Sequence, residues 1–176
     1  LKKLRSEGWV VGLLSGDHPA VVEAVAKELG IPPDRARGGR LPEEKLDAVL
    51  RLVKKSPPGR PVVMVGDGVN DAAALSAASV GVGVHGGAEA ALAAADVFLA
   101  REGLLPLLEL LQGARRTFRV IRGNLVFSLL YNLAAAGLAV AGKIDPLLAA
   151  ILMPVSSLTV ITLSYKVRMF RRTEPS

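Results

Sequence analysis

The sequence predicts an α/β domain with a parallel sheet, followed by two membrane-spanning α-helices. Three observations lead there. Through residues 1–102, short β-branched apolar runs alternate with helix-like stretches. After a basic segment, the runs 124–142 and 146–165 contain no charged residue at all. Basic residues then crowd the outer end of each run.

Taken in order, 10–14 reads as a strand and 20–29 as a helix. A connection containing Pro and Gly leads to a helix over 43–54, with Pro42 at a natural helix start. Strands follow at 62–65, 80–84 and 97–99, separated by helices at 71–78 and 88–95. Continuous apolar strands alternating with helices imply a parallel sheet covered on both faces. The stretch 103–123 reads as a basic connecting helix, 124–165 as the two membrane helices and 166–176 as a basic tail. About 20 helical residues cross a hydrocarbon core of roughly 30 Å, which is the length of each uncharged run. Only Lys143, Ile144 and Asp145 separate them, so they form a tight hairpin. Arg115, Arg116, Arg119 and Arg122 precede it, and Lys166, Arg168, Arg171 and Arg172 follow. Both outer ends therefore belong on the cytoplasmic side.

Composition agrees with a partly lipid-embedded chain. Mean hydropathy is +0.39, high for a soluble domain, and the apolar mass is aliphatic, with 4% aromatic residues. The formal charge of +6 is compatible with nucleic acid, anionic lipid or the basic flanks of membrane helices. Its location favours the flanks. Basic and aromatic residues do not alternate as in single-strand binders, so nucleic acid is not an expected partner. The chain has no Cys, which excludes a disulfide framework or a thiolate metal site built from this chain alone. It starts at Leu1 with no recognisable signal peptide and is expected to be a piece of a longer protein.

Three motifs carry chemistry. The strand 10–14 ends in Ser15-Gly16-Asp17, and the strand 62–65 ends in Gly66-Asp67-Gly68-Val69-Asn70-Asp71. Lys45 lies between them near a helix start. Ligands of open parallel sheets bind beyond the carboxyl ends of the strands, so these clusters should converge on one crevice. Their chemistry suits phosphoryl transfer. Asp67 and Asp71 are hard oxygen ligands for Mg²⁺. Ser15 can donate a hydrogen bond to a phosphoryl oxygen, and Lys45 can offset its charge. Gly66 and Gly68 allow a tight turn and close backbone approach.

A second cluster lies inside the apolar runs. Tyr131 and Asn132 fall near the middle of the first, Met153, Ser156 and Ser157 near the middle of the second. Measured from the turn, the two groups share a depth. Met153 stands on one helix face with Ser156 and Ser157, and Pro154 frees a backbone carbonyl nearby. Polar groups at membrane depth are a functional hypothesis by default. A thioether beside neutral oxygens and amides favours a soft monovalent ion, and neither run holds a carboxylate for Zn²⁺ or Ca²⁺. The alternative is structural: Ser, Tyr and Asn join helices by hydrogen bonds, and Met fills gaps.

These segments resemble the haloacid-dehalogenase-type, Rossmann-like phosphorylation domain of P-type ATPases. LLSGDHPAVVEAVAKELGI is similar to their TGD segment, with Ser15 in place of threonine. LPEEK carries the lysine, and VVMVGDGVNDAAALSAASVGVGV resembles GDGxNDxPAL. The resemblance implies that Ser15, Gly16, Asp17, Lys45, Asn70 and Asp71 surround the phosphoryl site, and that Asp67 and Asp71 bind Mg²⁺. Ala73 departs from the usual proline, and Gly87-Ala88-Glu89 keeps an acid but not the threonine of a later GTD segment. The phosphorylated aspartate of the family's DKTGT motif does not occur here, nor does the nucleotide-binding domain.

Tyr131-Asn132 and Met153-Pro154-Val155-Ser156-Ser157 are similar to the Tyr-Asn and Met-x-x-Ser-Ser patterns of copper-transporting, heavy-metal members, whose Cys-Pro-Cys ligands lie on an earlier helix. By that resemblance the chain is the C-terminal part of such a pump. It comprises the second half of the phosphorylation domain and the last two membrane helices. The implied activity is ATP-driven export or import of Cu⁺, with Ag⁺ alongside, through an aspartyl phosphate. Mg²⁺ is the implied cofactor and ATP the substrate. Expected partners are the transported ion, membrane lipid, the missing N-terminal part of the same protein and a metallochaperone. The expected location is a prokaryotic plasma membrane, and this chain alone should be inactive. A pump for another cation such as Zn²⁺, or a membrane-anchored phosphatase of the same superfamily, stands as the alternative.

Overall fold

The computed structural model describes residues 1–67, 69–87 and 89–166. The chain divides into two compact units, Leu1–Pro106 and Leu107–Ser176.

The first unit is α/β. It opens with α1 (Lys2–Ser6), then β1 (Leu13–Leu14) and α2 (Pro19–Glu28). Pro19 occupies the first helical position of α2, and the His18 Nδ1 accepts the Ala20 N–H, so His18 serves as a helix cap. A 3₁₀ turn (Pro33–Arg35) leads to β2 (Ala36–Arg37) and α3 (Pro42–Lys55). Then come β3 (Val63–Gly66), a 3₁₀ turn (Val69–Asp71), α4 (Ala72–Ala77), β4 (Val80–Gly83), α5 (Glu89–Ala94) and β5 (Val97–Phe98). The fully buried Leu75 and Val82 pin α4 to the sheet, with Ala74 beside them. Removing that apolar area from water is the main force holding the layers. Val22, Ala26, Ile31 and Val49 are also buried.

The strands differ from expectation in two respects, and the first is that β1 covers only Leu13–Leu14 of the expected 10–14. All pairings are parallel, as the alternation of elements predicts, but they form two sheets: β1 with β2, and β3–β4–β5. Residues 36–37, expected to lie in the connection, supply the partner of β1 instead. Ala36-Arg37 has no apolar run to announce a strand; its place comes from backbone pairing with Leu13 and Leu14. The register aligns Gly66 with Gly83 and Gly83 with Phe98, so β3, β4 and β5 end at one edge. Asp96 closes the second sheet: its carboxylate accepts the Gly81 N–H at 2.8 Å, and its own N–H donates to the Gly81 carbonyl at 2.9 Å.

The second unit is helical. The expected connecting helix and first apolar run are one continuous helix, α6 (Leu105–Val140). Its 36 residues make it about 54 Å long, well beyond a hydrocarbon core. Among the described residues, it is the one helix long and apolar enough to cross a membrane by length and composition. Gly142, at φ +67°, ends it: the Gly142 and Lys143 N–H groups donate to the Ala139 and Leu138 carbonyls. That left-handed turn suits glycine, which has no Cβ to clash. Asp145 then caps α7 (Pro146–Lys166) by accepting the Leu148 N–H at 2.8 Å. The tail 167–176, with Arg168, Arg171 and Arg172, lies outside the described residues.

Candidate functional site

Among the described residues, the buried ion pair of the α/β unit joins two sequence-predicted residues. Lys45 Nζ donates to Asp71 Oδ1 at 2.8 Å. A lysine on an amphipathic helix is ordinarily solvated, yet Lys45 is 8% exposed and Asp71 9%. Lys45 comes from the first turn of α3, and Asp71 from the 3₁₀ turn that follows β3. Gly66 makes the approach possible. A Cβ placed there would stand 2.9 Å from the Asp71 Cβ and 3.1 Å from its Oδ2. Burying both charges costs desolvation that only good geometry offsets, so deleting one partner leaves an uncompensated buried charge.

Ser15 and Asp17 form the second contact. Ser15 Oγ donates to Asp17 Oδ2 at 2.9 Å, and the Asp17 N–H returns a bond to Ser15 Oγ at 3.3 Å. The loop that carries them is clamped through its backbone. Ser15 N–H donates to the Arg37 carbonyl, Gly39 N–H to the Asp17 carbonyl and Arg40 N–H to the Ser15 carbonyl. Gly16 sits tightly in the clamp, with its would-be Cβ 3.3 Å from the Arg40 carbonyl oxygen.

The two contacts do not merge into one network. Among the described residues, no hydrogen bond or ion pair runs from Ser15 or Asp17 to Lys45, Asp67 or Asp71. They are linked instead by residues that the motif reading passed over, Arg40 and Glu44. Arg40 holds the Ser15 loop with its backbone, while its guanidinium donates to Glu44 Oε1 at 2.8 Å. Glu44 Oε2 accepts the Leu41 N–H at 3.0 Å, fixing the start of the helix that carries Lys45. These bonds, that to the Leu41 N–H first and that to Arg40 second, hold the Glu44 carboxyl below its ordinary range. A Glu placed three residues after a helix cap position is the signal that could have found it.

Asp67 follows β3 directly and is exposed, and among the described residues its carboxylate has no partner. Its backbone is crowded: a Cβ at Gly87 would lie 2.9 Å from the Asp67 carbonyl oxygen. Asn70 is exposed, and Gly68 and Ala88 lie outside the described residues. The donor set fits Mg²⁺ in the manner usual for that ion, through one or two carboxylates with phosphate and water completing the shell. Asp67 offers the open carboxylate, whereas one oxygen of Asp71 is engaged by Lys45.

In the helical unit, Tyr131 is half-buried and its ring lies 6.1 Å from that of Phe127, one turn earlier. Ser156 is buried at 8% exposure, while Asn132 and Ser157 are exposed. The structure therefore separates each expected pair, setting one member inward and its neighbour outward, as adjacent positions on a helix must be. Met153 lies on α7, but its side chain falls outside the described residues. Pro154 is inside α7, as expected.

The family model of haloacid dehalogenase-like hydrolases matches residues 1–79. A cation-transporting P-type ATPase B of Mycobacterium bovis is 42% identical over 95% of this chain and 22% of its own length. A copper-exporting P-type ATPase of Mycobacterium leprae is 39% identical over 95% of this chain and 21% of its own length. The crystal structure of a zinc-transporting PIB-type ATPase in an E2.Pi state matches with a TM-score of 0.85 and 32% identity, covering 97% of this chain and 27% of that one. The chain spans about a fifth of the length of the curated relatives it matches.

Proposed function

This chain belongs with the heavy-metal P-type ATPases, which it resembles along 95% of its length, and from that premise we propose that it serves as the phosphoryl-handling and ion-path segment of a Cu⁺ pump. The observation that carries the reading is the buried Lys45–Asp71 pair, whose Asp71 lies in the turn beyond β3 on the same short segment as the exposed Asp67. A purely structural unit of this size gains nothing by burying a lysine, whereas a phosphoryl site needs a fixed positive charge in a weakly polar setting.

Lys45, held in place by Asp71, offsets charge on a phosphoryl group carried by an aspartate from elsewhere in the protein. Ser15 turns its hydroxyl from Asp17 to a phosphoryl oxygen, and Asp17 and the backbone clamp keep the loop in position. Asn70, exposed in the turn before Asp71, supports the same site. Mg²⁺, when bound, neutralises phosphoryl charge, with Asp67 as its protein ligand and Asp71 in support. Without the phosphorylated aspartate, this chain by itself turns over no ATP.

We read α6 from Asn124 onward and α7 as a membrane hairpin, with both basic ends cytoplasmic in a prokaryotic plasma membrane. Tyr131, Asn132, Met153, Ser156 and Ser157 provide neutral oxygen, amide and thioether donors to the cargo. This set suits Cu⁺ and Ag⁺, because neither uncharged run holds a carboxylate. The zinc-transporting structural relative supports Zn²⁺ as the second reading.

The test is ATP hydrolysis by the full-length protein in lipid vesicles with Cu⁺, Ag⁺ or Zn²⁺. Stimulation by the two monovalent ions, lost in Met153→Ala and abolished in Asp67→Ala, is the expected result. Stimulation by Zn²⁺ alone replaces the cargo. Rates indifferent to every metal remove the pump reading.

A further inference from the structure

α6 and α7 meet at a hydrogen bond between Asn124 and Ser164. Along the two uncharged runs, otherwise mostly exposed, Asn124, Ser128 and Tyr131 are half-buried at about one per turn of α6, and Ser156, Val160 and Ser164 are buried or half-buried in the same way along α7, which marks the facing seam. Among the described residues the seam is polar at several levels. Tyr131 and Ser156 mark one, and Ser128 lies a turn away on α6. Nearest the outer ends, Asn124 Nδ2 donates to Ser164 Oγ at 2.7 Å.

The position of that bond gives it a role. The hairpin is closed at one end by its own turn, where Gly142 and Asp145 fix the chain. Nothing covalent closes the other end, and Asn124 and Ser164 stand there, just inside Arg122 and Lys166. Tyr131 lies two turns from Asn124, about 10 Å along the helix axis. The level holding Tyr131 and Ser156 therefore lies between a covalent closure and a hydrogen-bonded one. Both partners are neutral, so parting them leaves a polar group in lipid but never an unpaired charge. A bond of that kind can open and re-form at modest cost, as an ion site that must bind and release requires.

Resting on the pump reading above, we propose that Asn124 and Ser164 are positioning residues: their hydrogen bond is a latch at the open end of the hairpin that holds the seam at Tyr131 and Ser156 in binding geometry. Neither residue touches the ion. The latch acts by keeping α6 and α7 at one separation and register. With it open, the helices part at the cytoplasmic end and the cargo is held more weakly.

Two measurements test the latch. The chain has no native Cys, so the pair Asn124→Cys/Ser164→Cys, placed in phosphatidylcholine–phosphatidylglycerol vesicles and treated with diamide, reads the contact without reference to transport. Rapid disulfide formation is expected, with little in the control pair Leu125→Cys/Ser164→Cys, because Leu125 faces outward at 68% exposure. Equal cross-linking in the two pairs, or none in either, overturns the contact. In the full-length pump, Asn124→Ala and Ser164→Ala should each raise the half-saturating metal concentration roughly three- to twentyfold, the range for interhelical hydrogen bonds in membranes. The double variant should be no worse than the worse single one, and Ser164→Thr should restore the original value. A merely structural role would lower the folded yield and maximal rate while leaving half-saturation unchanged, and that result overturns the proposal. Additive effects of the two substitutions also overturn it. If the unaltered protein responds to no metal, the pump reading and the latch fall together. If it responds but half-saturation ignores both residues, the latch alone falls.

Discussion

In the α/β unit, one buried pair carries full charge, Lys45 against Asp71 at 2.8 Å. In the uncharged runs of the helical unit, the polar groups withdrawn from water carry none: Ser156, Tyr131 and the Asn124–Ser164 bond are neutral. On the function proposed above, the difference follows the task. A phosphoryl group brings several negative charges, and a fixed ammonium that needs no reorganisation meets them well. A path through lipid must let its cargo go, and a bare charge at that depth would hold too tightly or cost too much. Charged pairs are therefore expensive to break singly, and neutral pairs are inexpensive. Three substitution experiments exploit that contrast.

The largest effect belongs to the buried pair. Lys45→Met or Asp71→Leu alone should destabilise the α/β unit by about 3–5 kcal/mol, because each leaves one charge buried without its partner. The double variant should recover most of the loss. Urea unfolding of the chain followed by Trp9, its single tryptophan, measures this. A cost under about 1 kcal/mol for either single change would put the pair in the class of exposed ion pairs. The comparison between the two units would then lose its footing.

The same replacement in each unit gives the second contrast. Gly66→Ala places a Cβ 2.9 Å from the Asp71 side chain, which must shift and loosen its hold on Lys45. A cost of about 1–3 kcal/mol is expected, smaller when Lys45 is already Met. Gly137→Ala, on α6, meets nothing within 4 Å and should be neutral or stabilising by up to about 1 kcal/mol through helix propensity. Circular dichroism of both variants under urea separates the two. Equal effects would mean that Gly66 is a turn residue and nothing more.

The sequence showed the large features because they have periodicities. Strand–helix alternation announced a parallel α/β unit, and the absence of charge over 124–142 announced the apolar part of α6. The motif GDGVND predicts Asp67 and Asp71 beyond the end of β3, where the structure has them. What escaped notice had no local signature. β2 is two residues long and exists by pairing with β1, a choice made across the intervening chain. The continuity of α6 was hidden because basic and apolar halves look like different elements, although helix propensity runs through both. That Tyr131 turns inward while Asn132 turns outward depends on where α7 packs, which no adjacent pair reveals. Asn124 and Ser164 lie 40 residues apart, and each alone is an ordinary polar residue near a helix end.

The smallest effect is also the one that separates the two units by pH. The Glu44 carboxyl is held below its ordinary value of 4.5, chiefly by the Leu41 N–H and then by Arg40, with burial opposing weakly. The sign follows from proton counts. Near and below that ordinary value, the unfolded chain binds more protons at this position than the folded one, so stability from Glu44 rises with pH there. It is complete above the ordinary carboxylate range and disappears as pH falls through the lowered folded value. Titrating urea midpoints from about pH 6 to about pH 3 for the unaltered chain and Glu44→Gln should show a gap that closes at the acid end. Because the group is at the surface, the gap is small and shrinks with added salt. The seam should give no counterpart, since neither uncharged run contains a carboxylate to protonate. The cross-linking yield of the Asn124→Cys/Ser164→Cys pair, oxidised at one fixed pH after equilibration along that series, should stay flat. A yield that falls along with the Glu44 gap would mean that the helices answer to the α/β unit rather than to their own neutral contacts.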